Sequence, residues 1–136
     1  MREILFRGKR TDTGEWVEGL LITVELDTYS EVEKAKYTHC IVDPKAEMYR
    51  GDLCGFEFVK PETVGQYTGL TDANGKKIFE GDIVKNEYEK GHYQYFKIFY
   101  CDRTHMWQVS NEYGMLGKLY QTIGTLEVIG NIHDNP

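Results

Sequence analysis

The chain has 136 residues, a formal net charge of −6 and a pI near 5.2. That length predicts one domain, or two small subdomains sharing a core, and the acidic balance counts against a nucleic-acid binder that works by bulk charge. No apolar run approaches the ~18 residues of a membrane span, residues 1–10 lack the apolar core of a signal peptide, and three cysteines form no closed disulfide set, so a reducing, cytoplasmic setting without a membrane partner is expected.

In chain order the sequence reads as β-rich. Short runs of Val, Ile, Tyr, Phe and Trp alternate with Gly, Asn and Asp punctuation. Residues 3–7 form the first predicted strand. Asp12-Thr13-Gly14 marks a turn, and residues 16–24 return as the second strand of a hairpin. Gly19 within that strand points to a bulge or a close backbone approach. Residues 27–37 alternate in charge without an apolar face and read as a mobile loop, with one helical turn at 31–36. Further strands are expected at 38–42 and at 56–60, the latter stopped by Pro61.

In the second half, residues 63–70 form a strand. Asp72-Ala73-Asn74-Gly75 is a strong turn signal. Strands follow at 77–79, 83–86, 93–100, 107–110 and 126–132, with turns at Gly81-Asp82, Gly91 and 111–114. Residues 115–122 fit either a short helix or a strand. So many short strands in about 70 residues predict a small, strongly bent sheet or barrel with little helix. The division expected is a β subdomain over 1–60 and a second over 61–136. With 9 basic and 12 acidic residues in the first part and 7 and 10 in the second, each carries −3, and neither is a charged tail.

Five segments together resemble the YopX family of phage and prophage proteins. They are Phe6-Arg7-Gly8-Lys9-Arg10 followed by Gly14-Glu15-Trp16-Val17-Glu18-Gly19; Glu62-Thr63-Val64-Gly65-Gln66-Tyr67-Thr68-Gly69-Leu70; Asp72-Ala73-Asn74-Gly75-Lys76; Ile78-Phe79-Glu80-Gly81-Asp82-Ile83-Val84; and Val128-Ile129-Gly130-Asn131-Ile132-His133-Asp134-Asn135-Pro136. They run in the family's order along nearly the whole chain. The resemblance implies a small N-terminal β subdomain followed by an SH3-type β-roll, and a phage or prophage origin. It implies no activity, because none is established for the family. Residues 24–50 and 86–122 carry no part of it.

Catalytic constellations are missing. There is no G-x-S-x-G, H-E-x-x-H, Walker loop or G-x-G-x-x-G. Glu80-Gly81-Asp82 offers two carboxylates, yet Gly81 with a capping Asp82 describes a turn, and neighbouring strand carboxylates would face apart. An EF-hand with its sixth-position glycine at Gly75 would begin at Leu70 and end at Gly81, where acidic ligands are needed. His39, Cys40, Cys54, Cys101 and His105 lack the paired short spacings of a zinc site. Cys54 as a nucleophile has no local signature. The expectation is therefore a protein that is not an enzyme and holds no cofactor.

Two surfaces remain as candidates. The aromatic strand places Tyr93, Tyr95, Lys97 and Phe99 on one face and Gln94, Phe96, Ile98 and Tyr100 on the other, with Tyr88, Trp107 and Tyr113 near in sequence. Burial of both faces is the simpler reading. The alternative is an interaction surface made of Tyr93, Tyr95, Lys97 and Trp107. The second surface is a basic cluster of Arg7, Lys9 and Arg10, joined by Arg2, which leaves residues 1–10 at +3 and offers phosphate contacts; Trp16 reads as a core anchor of the hairpin. The leading expectation is a non-catalytic interaction module with a protein partner or a second copy of itself. Single-stranded nucleic-acid binding is the alternative, disfavoured by the net charge.

Overall fold

A computed structural model describes residues 3–25, 37–43, 48–49, 52–53, 55–114, 116–119 and 125–134. The loop expected over 27–37 and the thiol of Cys54 fall outside them, apart from residue 37. The described chain is mainly β, its strands all paired antiparallel, with a 3₁₀ turn at Pro61–Thr63. It divides into two compact units, Glu3–Gln66 and Tyr67–Pro136.

In the first unit the strands are β1 (Phe6–Lys9), β2 (Trp16–Glu25), β3 (Tyr37–Val42), a short pair β4 (Met48–Tyr49) and β5 (Asp52–Leu53), and β6 (Phe56–Val59). β1 and β2 form the expected hairpin, with Phe6 opposite Gly19 and Lys9 opposite Trp16. β3 lies against β2, and β6 against β3. The end of β1 then meets β6. Arg10 bridges to Val59, Thr11 N donates to Phe58 O at 3.0 Å, and Lys60 N donates to Lys9 O at 2.8 Å. The four strands thus close at one corner, and Leu5, Ile41 and Val59 are buried in this unit. Gly19 is required by a close approach: a Cβ there would overlap the carbonyl oxygen of Val42.

The boundary falls a few residues beyond the expected one, for a visible reason. Thr63 Oγ1 accepts from Lys9 N at 2.9 Å and donates to Lys60 O at 2.6 Å. The next strand, β7 (Gly65–Thr71), begins opposite β1, with Gly65 facing Arg7 and Gln66 facing Phe6.

In the second unit the later part of β7 pairs with β8 (Lys77–Phe79). A five-stranded antiparallel sheet follows. Its strands are β9 (Asp82–Glu89), β10 (His92–Cys101), β11 (Met106–Ser110), β12 (Leu116–Lys118) and β13 (Leu126–Asn131), in the order β12-β11-β10-β9-β13. Within the ambiguous stretch 115–122, residues 116–118 are therefore strand. The core collects Ile78, Val84, Phe96, Ile98, Val109 and Leu126, with Leu119 and Val128 beside them.

Two aspartates organise this unit. Asp72 Oδ1 accepts from Asn74 N and Lys76 N, at 2.8 and 2.9 Å, closing the β7–β8 turn; its Oδ2 accepts from Val128 N at 2.9 Å, tying that turn to β13. Burial pushes the Asp72 carboxyl up, but the three amide donors outweigh burial and hold it below the ordinary carboxylate value. Asp82 is wholly buried. Its Oδ2 accepts from Phe79 N at 2.8 Å and its Oδ1 from Asn131 Nδ2 at 3.0 Å. Gly81 before it has φ +85°, as the turn reading of Glu80-Gly81-Asp82 requires, and donates to Ile98 O. Both aspartates accept hydrogen bonds from backbone amides of neighbouring strands and turns, and Asp82 also from the Asn131 side chain.

Candidate functional site

β10 lies in the middle of its sheet, bonded to β9 on one side and β11 on the other. Strand alternation splits its side chains. Phe96 and Ile98 point into the core, whereas Tyr93 and Tyr95 are 43% and 55% exposed. Burial on both faces, the simpler expectation for this strand, is thus not found. The reason is that nothing among the described residues of this unit covers the Tyr93–Tyr95–Lys97 face.

That face floors an open groove of about 860 Å³. Tyr93, Tyr95 and Lys97 come from β10, and Tyr88 and Ile83 from β9. The far wall is the β11–β12 turn, where Asn111 Oδ1 accepts from Tyr113 N at 3.0 Å and Gly114 N donates to Asn111 O at 3.2 Å. This turn lifts Tyr113, 83% exposed, and Glu112 to the rim. The Lys85 ammonium lies 4.9 Å from the centre of the Tyr93 ring and 3.5 Å from the Glu127 carboxylate. A lysine is thereby held against one of the floor rings.

Trp107 does not belong to this face. It stands opposite Tyr100, in edge-to-face contact at 5.1 Å, on the side of the sheet that carries Ile98 and Val109. Its indole Nε1–H is buried without a hydrogen-bond partner among the described residues. The structure thus brings Tyr93, Tyr95 and Lys97 together and sets Trp107 apart. Nearness in sequence cannot show this; the register can, because Trp107 is paired with Tyr100, which lies on the same face of β10 as Phe96. By the same register Ile83 faces Lys97 across β9 and β10, which sequence reasoning passed over.

The basic cluster divides too. Arg7 and Lys9 share a face of β1 and both stand over Trp16, with Arg7 Cζ 4.4 Å and Lys9 Nζ 5.4 Å from the ring centre. Trp16 is half-buried beneath these cations rather than sunk in the core, since pairing with Lys9 sets it on their face. Arg10 is engaged elsewhere. Its Nε and Nη2 donate to Asp12 Oδ1 and Oδ2 at 2.9 and 2.8 Å, and Nη2 lies 3.2 Å from Glu57 Oε2. The Asp12 hydrogen bond raises the guanidinium's pKa, and the same bond holds the Asp12 carboxyl below its usual range. A phosphate approaching Arg10 would compete with two carboxylates.

Among the cysteines, Cys40 is buried in the first unit, and burial pushes its thiol up. Cys101 is half-buried at the end of β10. Hydrogen bonds from the Thr104 side chain, then from the backbone amides of Thr104 and Arg103, hold its thiol below the ordinary value. His105 closes that turn with φ +55° and donates its N–H to Cys101 O at 2.8 Å. Among the described residues no three His, Cys, Asp or Glu side chains gather as a metal site, and no helix is long and apolar enough to cross a membrane.

Comparison with known proteins bears on both units. No curated protein matches the chain. The crystal structure of protein EF1440 from Enterococcus faecalis is similar over 100% of this chain and 97% of its own, with 25% identity and a TM-score of 0.55. The family described as YopX protein matches residues 5–136, which takes in the closed corner at Arg10 and Val59, both organising aspartates and the whole of the tyrosine groove; the chain belongs to the YopX family.

Proposed function

We propose that this chain is a non-catalytic, phage- or prophage-encoded interaction module that works in the cytoplasm of the bacterial host and binds a protein partner through the tyrosine groove. The observation that carries this reading is the exposed floor of Tyr93 and Tyr95 beneath Tyr113, on a strand whose opposite face is core. Rings that stay in water on a well-ordered sheet supply contact area at little cost in side-chain entropy. An SH3-type β-roll is part of the reading. Four strands run as a meander and the fifth returns to pair with the first, as β13 does with β9. Such a roll does not by itself dictate a ligand.

A second reading, single-stranded nucleic acid, draws support from Lys97 and Lys85 beside the tyrosines, a pairing of cations and rings suited to backbone and bases. Glu112 at the rim, the net charge of −6 and the pairing of Arg10 count against it.

The test is capture from host lysate by the tagged full chain, in parallel with its Tyr95→Ala variant, each split into nuclease-treated and untreated halves. The proposal expects a protein retained by the unaltered chain in both halves and lost with Tyr95→Ala. Retention that vanishes with nuclease supports the second reading. Retention indifferent to Tyr95→Ala removes the groove from either.

A further inference from the structure

We propose that Asn74-Gly75 is a modification site, which deamidates through a succinimide when the β7–β8 turn opens and is held unreactive while the turn is closed. Of the chain's five asparagines, Asn74 is the one followed by glycine; Glu87, Glu112, Ile132 and Pro136 follow the others. Glycine carries no side chain to shield its nitrogen, and both Asn74 and Gly75 are exposed. In the reaction Gly75 N attacks Asn74 Cγ. The side-chain nitrogen leaves as ammonia, taking the Gly75 proton, and water then opens the ring to aspartate or isoaspartate.

The closed turn keeps the two reacting atoms apart. Gly75 N donates to Asp72 O at 3.0 Å, which closes a four-residue turn from Asp72 to Gly75. Among the described non-glycine residues only His105 has a positive φ, so Ala73 and Asn74 have negative φ and the turn is type I. Type I geometry sets Asn74 ψ at about 0°, which turns Gly75 N away from the Asn74 side chain. Ring closure needs a large rotation about the Asn74 Cα–C bond. Asp72 resists that rotation, since its Oδ1 holds Asn74 N and Lys76 N and its own N–H donates to Lys76 O at 2.8 Å. Ala73 N is fastened to Leu126 O at 2.9 Å. The reaction therefore waits until the turn releases Asp72 and β13. Either product adds a negative charge beside Asp72, and isoaspartate also lengthens the main chain by a carbon between Asp72 and Lys76. The hydrogen bonds around Asp72 then no longer fit together, and a brief opening becomes a permanent loss of the turn.

The experiment incubates the full chain at pH 8, folded in buffer or unfolded in guanidinium chloride, and follows the peptide holding Asn74 by mass spectrometry. The other asparagines serve as internal controls. The proposal expects Asn74 to be converted first in the unfolded chain, and about tenfold or more slowly in the folded one, where reaction waits on local opening. Asp72→Asn leaves the turn with weaker acceptors, and should bring the folded rate closer to the unfolded rate and speed hydrogen exchange at the Gly75 amide. Comparison of the folded and unfolded unaltered chain needs no variant to fold. Equal rates in the two states, no preference for Asn74 when unfolded, or a folded Asp72→Asn chain as slow as the unaltered one would overturn it.

Discussion

Asp82 and Asn131, 49 positions apart in the chain, meet through a 3.0 Å hydrogen bond from Asn131 Nδ2 to Asp82 Oδ1. Asn131 is itself held, its Oδ1 accepting from His133 N and its backbone N donating to Asp134 Oδ2. Removing the Asp82 carboxylate leaves the Phe79 amide and the Asn131 amide without this acceptor in a dry site. Asp82→Ala should therefore cost about 3 kcal/mol, read from urea unfolding. Asp82→Asn keeps one acceptor and should cost less. Equal stability of Asp82→Ala and the unaltered protein would contradict the arrangement.

Asp72 gives a pH dependence of definite sign. Its folded-state carboxyl lies below the ordinary value of 3.8. The stabilisation is thus complete above that ordinary value and is lost as pH falls through the folded-state value. Asp72→Asn should be less stable than the unaltered chain at pH 7 by about 1–2 kcal/mol, since all three amides lose a charged acceptor and those facing the new NH2 lose their acceptor altogether. The gap should shrink as the solution is made more acidic than the ordinary carboxylate range. Thermal unfolding of both proteins across pH 3–7 checks this; a constant gap would count against it.

Gly19→Ala is a test of backbone approach, not of conformational preference. The added methyl would overlap the Val42 carbonyl oxygen, so β2 and β3 must move apart. A loss of about 3 kcal/mol or more is expected. Calorimetry that shows an unchanged melting temperature would refute the contact.

The cysteines should separate by reactivity. Cys101, whose thiol is stabilised as thiolate by Thr104 and neighbouring amides, should be alkylated by iodoacetamide faster at pH 7 than buried Cys40. Thr104→Val should slow Cys101 without affecting Cys40. Peptide mapping by mass spectrometry after timed quenching gives both rates, and preference for Cys40 would overturn the assignment.

Much of the strand pattern was legible because it rests on local chemistry. The hairpin of β1 and β2, the turn at Asp72–Gly75 and the positive φ of Gly81 all follow from residue types within a few positions. The first strand begins at Phe6 rather than at residue 3, since Glu3, Ile4 and Leu5 are not in the β1 ladder although Leu5 is buried. The site was less legible because it depends on register between segments. Tyr93, Tyr95 and Lys97 share a face by simple alternation. Trp107 is placed by its pairing with Tyr100, and Arg10 by carboxylates at Asp12 and Glu57, the latter 47 positions away. The hydrogen bond from Val128 to Asp72 likewise joins segments whose closeness no local signal announces.

The corner where Arg10 meets Val59 occupies backbone groups that an edge of the first unit's sheet would otherwise leave open. Strand β6 gives the Phe58 carbonyl to Thr11, and the Lys60 amide beyond it goes to Lys9. An approaching strand from another molecule must displace both before it can pair there, so at that corner the first unit is guarded against runaway polymerisation through its sheet. Arg10, tethered by Asp12 and Glu57, acts as the clasp of that guard. A variant that loosens it should betray itself first by turbidity at high concentration, before any loss of binding.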